Sequence, residues 1–202
     1  MQITIISGSH RPNAQSLKVA RFMQTVLEQA GVTAEVLSLG GNPLPLWDQG
    51  VWEGTPAWTE ALSAIQEQCR RSDGFVVISP EWHGQVPAGL KNLFLLLGRT
   101  EVGHKPALIV TVSTGDGGAY PVAELRMSSY KNNRICYLPE HVVVRKVESV
   151  LNDDPATNDA DSDAYIRGRL TWAGGILKAY AEALRPVRES GVTEDERFPF
   201  GM

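Results

Sequence analysis

Three short stretches concentrate the residues that could do chemistry. The first reads Ser7-Gly8-Ser9-His10-Arg11-Pro12-Asn13-Ala14-Gln15-Ser16. An apolar run ends there, a turn of small residues follows, and a helical pattern begins. The unpaired N–H groups and positive dipole end of a helix start attract anions. Ser9 and Ser16 add hydroxyl donors, and Arg11 adds a fixed charge whose fork matches phosphate oxygens. Ser9, Arg11, Asn13, Gln15 and Ser16 are the candidate anion ligands. The plainer alternative is that Ser9 and Asn13 cap the helix and Arg11 is solvated. No Gly-Lys-Ser/Thr follows, so the stretch is not a P-loop. It holds a single glycine, and the second strand ends in Ser38-Leu39-Gly40 with no acid for a ribose, unlike the dinucleotide fingerprint. A terminal monophosphate fits better than a pyrophosphate.

The second stretch, Ser79-Pro80-Glu81-Trp82-His83-Gly84-Gln85-Val86-Pro87, is stiffened by its prolines and leaves backbone N–H groups free. Rigid N–H donors with an aromatic beside them suit the polar edge and flat face of a ring, with Trp82 and His83 lining the pocket. The third, Ser113-Thr114-Gly115-Asp116-Gly117-Gly118, lets the backbone approach a ligand closely. It precedes another helix start, whose N–H groups are expected to face negative charge on a bound ring. Each stretch also has a bland reading: a surface acid at Glu81, a packing anchor at Trp82, an ordinary loop histidine at His83, a flexible glycine loop.

The elements that must position these turns alternate. Apolar strands are expected at Gln2–Ser7, Thr33–Leu39, Gly74–Ser79, Pro106–Thr114 and His141–Val147. Helices with apolar residues at three- and four-residue spacing are expected at Gln15–Ala30, Pro56–Arg71, Pro87–Leu97, Tyr120–Asn132 and Asp161–Leu184. The unbroken apolar runs of the third and fourth strands fit parallel strands covered on both faces. This is an α/β pattern: a flavodoxin-like, doubly wound five-stranded parallel sheet in the order 2-1-3-4-5, with helices on both faces. Ligands of such sheets bind beyond the carboxyl ends of the strands, beside the first strand, where all three stretches fall.

Composition sets the outer bounds. The chain has 202 residues, 43% hydrophobic and 21% charged, enough for one domain with its own core. We expect that domain at 1–185, followed by a tail at 186–202 that is either mobile or docked on a partner subunit. A net charge of −4 argues against a general nucleic-acid binder. Cys69 and Cys136 read as buried thiols rather than a disulfide framework or a metal site. The N-terminus lacks a basic and then apolar leader pattern, and no apolar run is long enough to cross a bilayer, so the expected location is the cytoplasm, with no membrane partner. The acidic run Asn152–Asp163 reads as a solvated loop ending in a helix cap.

Together the three turns resemble the NADPH-dependent FMN reductase-like family of flavin, quinone, azo-dye and chromate reductases. The matching residues are Gly8-Ser9-His10-Arg11 with Ser16, Pro80-Glu81-Trp82-His83-Gly84 through Pro87 with Leu90-Lys91-Asn92, and Ser113 to Gly118 with Leu125-Arg126. The resemblance covers Ile3 to Arg126. It implies bound FMN, its phosphate on Ser9, Arg11 and Ser16, its ring on Pro80, Glu81, Trp82, His83 and Gly84, and its pyrimidine edge on Ser113, Gly115, Gly117 and Gly118. It further implies NAD(P)H as donor and a small acceptor such as a quinone, free flavin, azo compound or metal oxyanion. Flavin N5 would carry the chemistry, with no protein acid or base. A homodimer or homotetramer is the implied assembly. This chain departs from the family at Ala14, where Ser is frequent, and at Trp82-His83, where Tyr-Asn is usual. Loops Gly41–Thr55 and Gly98–Gly103 are candidates to cover the ring. Trp47, Trp52 and Trp58 would line that mouth, a subunit contact, or the underside of the long loop. The alternative reading is a flavodoxin-like electron carrier that docks protein partners; such carriers typically lack the arginine.

Overall fold

In the computed structural model, which describes residues 1–201, five parallel strands form one sheet in the order β2-β1-β3-β4-β5. The strands are β1 (Gln2–Ser7), β2 (Thr33–Ser38), β3 (Gly74–Pro80), β4 (Pro106–Val112) and β5 (Cys136–Val144). The helices are α1 (Gln15–Gln29), α2 (Gly50–Glu53), α3 (Pro56–Arg71), α4 (Ala88–Leu96), α5 (Arg99–Val102), α6 (Ala119–Met127) and α7 (Ala160–Glu189). The expected fold class and strand order are those observed.

The period-two alternation of strand side chains divides the core into two layers. Ile3, Ile5, Val76, Ile78, Leu108 and Val110 pack with Val19, Met23 and Leu27 of α1 and Leu170, Ala173 and Leu177 of α7. Ile6, Phe75, Val77, Ala107 and Ile109 point the other way, onto Leu62 of α3, Leu90 and Leu93 of α4, and Val122 and Leu125 of α6. Because β1, β3 and β4 run in parallel register, Ser7 beside Ile78 and Ser79 beside Thr111, their carboxyl ends are level. The turns that follow them therefore emerge side by side.

Several boundaries differ from the sequence expectation, each for a local reason. Strand β5 begins at Cys136 rather than His141. It is an edge strand, so Pro139 is tolerated, and a register shift against Ala107 and Ile109 absorbs the irregularity. Cys136 is accordingly only half-buried, whereas Cys69 is buried. The chain leaves β5 early because Lys146 adopts a left-handed conformation, φ 46°. Helix α6 stops at Met127, not Asn132: the Ser128 and Ser129 hydroxyls donate to the carbonyls of Glu124 and Leu125, and Ser129 turns the chain with φ 62°. The loops read as covers contain one-turn helices, α2 and α5. Helix α7 starts behind Asp159, which caps Ser162 N–H, and continues through Pro186 to Glu189 instead of ending at Leu184. The segment beyond it, from Ser190, returns to its own chain, where Arg134 donates to the carbonyls of Thr193 and Phe198.

Asp73 holds the far end of α7 to the sheet. Its carboxylate accepts from Arg185 Nη2 at 2.6 Å, Arg185 Nε at 3.1 Å and Gln2 N–H at 3.0 Å. Burial pushes its pKa up, but the Arg185 and Gln2 donors outweigh burial and hold it below the usual carboxylate value. A depressed folded pKa contributes stability that is present above the unfolded value, about pH 4, and lost as pH falls through the folded value. Asp73→Asn should therefore lower unfolding stability by about 1–2 kcal/mol at pH 7, since Arg185 stays partly solvated. Urea unfolding at pH 7 and pH 3 should show the difference between variant and wild type shrinking at the lower pH.

Candidate active site

The turn after β1 is built around a close backbone approach. Gly8 N–H donates to Ile78 O at 2.8 Å, and a Cβ on Gly8 would lie 2.6 Å from that oxygen. Only glycine allows β1 to hand its chain over β3 at that distance. Ser9 and Ser16 are buried, 2% and 1% exposed, and their hydroxyls stay inside the turn: Ser9 Oγ accepts Arg11 N–H at 3.3 Å, and Ser16 Oγ accepts from Ser7 Oγ at 3.4 Å. Asn13 does not cap α1. It turns the chain with φ 52°, and Ala14 stands at the cap position with no side chain to accept from the helix start.

The cations near this helix start divide cleanly. Lys18 Nζ donates to Val147 O, Val150 O and Asn152 Oδ1 at 2.6–2.8 Å, which ties α1 to the segment after β5. Burial lowers its pKa. Arg11 is exposed, and among the described residues its guanidinium has no hydrogen-bond or ion-pair partner. An uncapped helix start, two buried hydroxyls and one uncommitted arginine fit a phosphate group. Gln15 is half-buried at the first position of that helix.

The turn after β3 is a tight reversal. Trp82 N–H donates to Gln85 O at 3.1 Å and Gln85 N–H returns to Trp82 O at 2.9 Å. The two central residues, His83 and Gly84, have φ 51° and 72°. Positive φ at both positions is the signature of a type I′ turn, and histidine, like asparagine, is among the residues that enter the left-handed region. His83 is exposed, and its backbone forms the centre of the turn. Trp82 is half-buried, and its indole meets the His10 imidazole edge to face, with ring centroids 4.6 Å apart and planes at 87°. Pro80 is buried at the end of β3.

Glu81 joins the second turn to the third. Its Oε2 accepts Gly118 N–H at 2.7 Å and Tyr120 N–H at 3.3 Å. The α6 start was expected to offer those N–H groups to a bound ring. The chain's own carboxylate occupies them instead, because an acid at the end of the neighbouring strand compensates an otherwise unpaired helix end. Gly118 itself has φ 105°, and a Cβ there would come within 2.6 Å of Val143. Ser113 Oγ accepts Gly115 N–H at 3.2 Å, and Arg145 Nε donates to Gly117 O at 3.1 Å, so this turn is shaped by short-range bonds. Gly115 is exposed and Gly117 half-buried.

Residues without an assigned role in the sequence reading prove to brace the site. Asn92 of α4, 5% exposed, accepts Trp47 N–H at 2.8 Å and donates to Pro45 O at 2.8 Å, pinning the long loop. Its place in the Leu90-Lys91-Asn92 stretch was the available signal. Glu124 pairs with Lys91 and accepts Val86 N–H at 2.6 Å, linking α6 to α4 and the second turn. His10 had no signal beyond its position. Of the three tryptophans of this region, Trp58 is packed beneath the loop and donates to Asp48 Oδ1 at 2.8 Å. Trp52 is exposed and stacks edge-on against Trp47.

With this geometry in hand, comparison with known proteins is decisive. The family described as NADPH-dependent FMN reductase matches residues 1–149. The chain belongs to that family. A quinone reductase of Escherichia coli (strain K12) is 32% identical over 200 residues, 93% of this chain and 97% of the relative. An NADPH azoreductase of Bacillus sp. (strain OY1-2) is 25% identical over 144 residues, covering 71% of this chain and 76% of the relative. Among solved structures, the flavoenzyme NAD(P)H:(acceptor) oxidoreductase FerB of Paracoccus denitrificans shares the fold with a TM-score of 0.68 at 20% identity, covering 92% of this chain and 97% of its own. An FMN-dependent NADH-azoreductase of Bacillus anthracis, solved with FMN, aligns with a TM-score of 0.60 at 18% identity over 88% and 99% of the two chains. As a member of this reductase family the chain is an FMN-dependent oxidoreductase. Among the described residues, no helix is long and apolar enough to cross a membrane.

Glu81→Ala should cost about 1–2 kcal/mol of unfolding stability by uncapping α6, with Glu81→Gln restoring part of it. Urea midpoints of the three proteins measure this; three equal midpoints would show the α6 start to be capped by solvent.

Proposed function

We propose that this reductase passes hydride equivalents from NAD(P)H through bound FMN to a small acceptor of the quinone or azo class. The names of its relatives, quinone reductase and azoreductase, support that acceptor class. FMN, when bound, supplies the two-electron chemistry that no side chain of the chain provides. The residues then have positioning roles. Ser9, Arg11 and Ser16, with Gln15 at the first position of α1, hold the phosphate, and Asn13 sets the turn that aims them. Pro80–Gly84 and Ser113–Gly118 border the ring, with Trp82 as the aromatic wall and Glu81 fixing the two turns relative to each other. Orientation of this kind, with water kept out, accounts for about 7–11 kcal/mol of a barrier in well-aligned systems. No protein acid or base is assigned.

The single observation that carries this reading is the uncapped start of α1 beside an unpartnered Arg11 and two buried hydroxyls. An electron carrier is the second reading; the free arginine in the phosphate turn favours the reductase. Two unpaired thiols, Cys69 and Cys136, suit a reducing compartment, and the cytoplasm is the proposed site of action. A homodimer or homotetramer is the proposed assembly, with exposed Trp52 available for a subunit contact.

Anaerobic titration of the FMN-loaded protein with NADPH and with NADH should bleach the flavin spectrum, and a quinone or azo dye should then restore it with turnover. A flavin that only an external reductase can reduce would establish the carrier reading. Arg11→Ala should weaken FMN binding by about 1.5–3 kcal/mol in a fluorescence-quenching titration, with no change in unfolding stability because the Arg11 guanidinium has no partner among the described residues. An unchanged FMN affinity would remove Arg11 from the site.

A further inference from the structure

We infer that His10 is a positioning residue for Trp82: a wedge from the first turn that fixes the indole wall and so sets acceptor selectivity. The inference rests on the function proposed above. His10 lies between three parts of the site. Its imidazole meets Trp82 edge to face at 4.6 Å. Its backbone carbonyl accepts Gly41 N–H at 3.1 Å, from the loop that follows β2. On its other side lies Gly89, the second residue of α4, where an added Cβ would stand 3.1 Å from His10 Nδ1 and 3.7 Å from Asn42 Oδ1. Any side chain at that position would press on the imidazole, so the glycine leaves room for it.

The imidazole is held by packing rather than by polar contacts. Nδ1 is buried and has no hydrogen-bond partner among the described residues. A buried polar atom without a partner costs free energy. A leucine would fill much of the same space without that cost, so apolar bulk alone does not explain an aromatic ring here. The perpendicular ring contact does: two aromatic rings 4.6 Å apart at 87° attract through their quadrupoles in a way an aliphatic group cannot. The tryptophan is itself the residue that departs from the family's usual tyrosine. His10 and Trp82 thus form a matched pair, one on the phosphate-side turn and one on the ring-side turn. The two turns are otherwise joined by backbone, through Gly8 N–H and Ile78 O. A phenol does not present the extended face of an indole to the same neighbour. The consequence is that the indole has one favoured pose over the space where a flat acceptor would stack.

The test has an apoprotein arm and a loaded arm. Trp82 emission is isolated as the difference between wild type and Trp82→Phe. In the apoprotein, His10→Ala should raise the acrylamide quenching constant of that emission about threefold and shift it to the red, and His10→Phe, which keeps an aromatic edge, should return it near wild type. In the FMN-loaded enzyme, His10→Ala should raise the KM for a benzoquinone about fivefold, the scale of one aromatic pair, while kcat and FMN affinity stay within twofold. In a Trp82→Leu background, which removes the aromatic partner, His10→Ala should have no further effect on that KM. Unchanged quenching in His10→Ala, parallel losses of FMN affinity and KM, or the same KM change with and without Trp82 would each overturn the inference. Failure of His10→Phe to restore both readouts would do the same. If wild type bound no FMN, the functional proposal would fall on its own, and the apoprotein arm would still decide whether His10 holds Trp82.

Discussion

Among the helices that begin at the carboxyl edge of this sheet, α1 and α6 have their unpaired N–H groups treated in opposite ways. At α6 the carboxylate of Glu81 accepts from Gly118 and Tyr120, so that end is neutralised from within. At α1 the cap position is Ala14 and no side chain accepts from the helix start. An uncompensated dipole end beside a guanidinium is an electrostatic demand for an anion. The position of everything else follows from which end is sealed. Sealing α6 fixes the third turn against the second, and leaving α1 open concentrates positive potential in the first. Had Glu81 been apolar, two competing anion sites would face the same cleft.

The fold was legible because hydrophobic periodicity and strand burial report the same thing. Runs such as Phe75-Val76-Val77-Ile78 are apolar on both faces only if helices cover both faces, and the two-layer core confirms that. Element ends were less legible, because they are settled by single side chains acting over a few residues. Ser128 and Ser129 satisfy the last carbonyls of α6, and nothing in an apolar pattern marks where a serine will fold back on its own helix. Pro139 reads as a strand breaker, yet it sits in a strand because β5 has one free edge. Pro186 reads as a stop, yet α7 passes through it, with Arg185 and Arg188 both drawn to Asp73 across the end of the sheet. Each of these outcomes depends on a tertiary partner that local sequence does not name.

The site shows the same division. That the three turns would gather followed from strand order alone. Which of their groups would be free did not. Glu81 looked like one more polar residue of a ring-binding loop, and its reach to Gly118 depends on the lateral distance between β3 and β4. Asn92 stands in the Leu90-Lys91-Asn92 stretch without an assigned role and Lys18 carries no signal in the sequence, yet one pins the loop at Pro45 and Trp47 and the other ties α1 to the carbonyls of Val147 and Val150. Such residues bond to backbone far away in sequence, so their function has no local signature. Their common effect is to tie loop backbone to a helix, beside the apolar anchors Leu44 in one loop and Val147 and Val150 in the other.

The Trp82-His83 pair separates two kinds of constraint within one turn. The second position must enter the left-handed region, and φ 51° at His83 shows that histidine meets the demand that asparagine usually meets. The backbone donors of the loop are therefore presented as they would be with asparagine, whatever the side chain. The first position is outside the left-handed pair, and here it carries an indole in contact with His10. A change at one position preserves how the loop runs; a change at the other alters what it shows to the cleft. Backbone groups recognise what is common to all members of such a family, while the exposed ring face is where members can diverge. The departures from the usual motif at this turn thus leave the loop's path intact and change the side chains it carries.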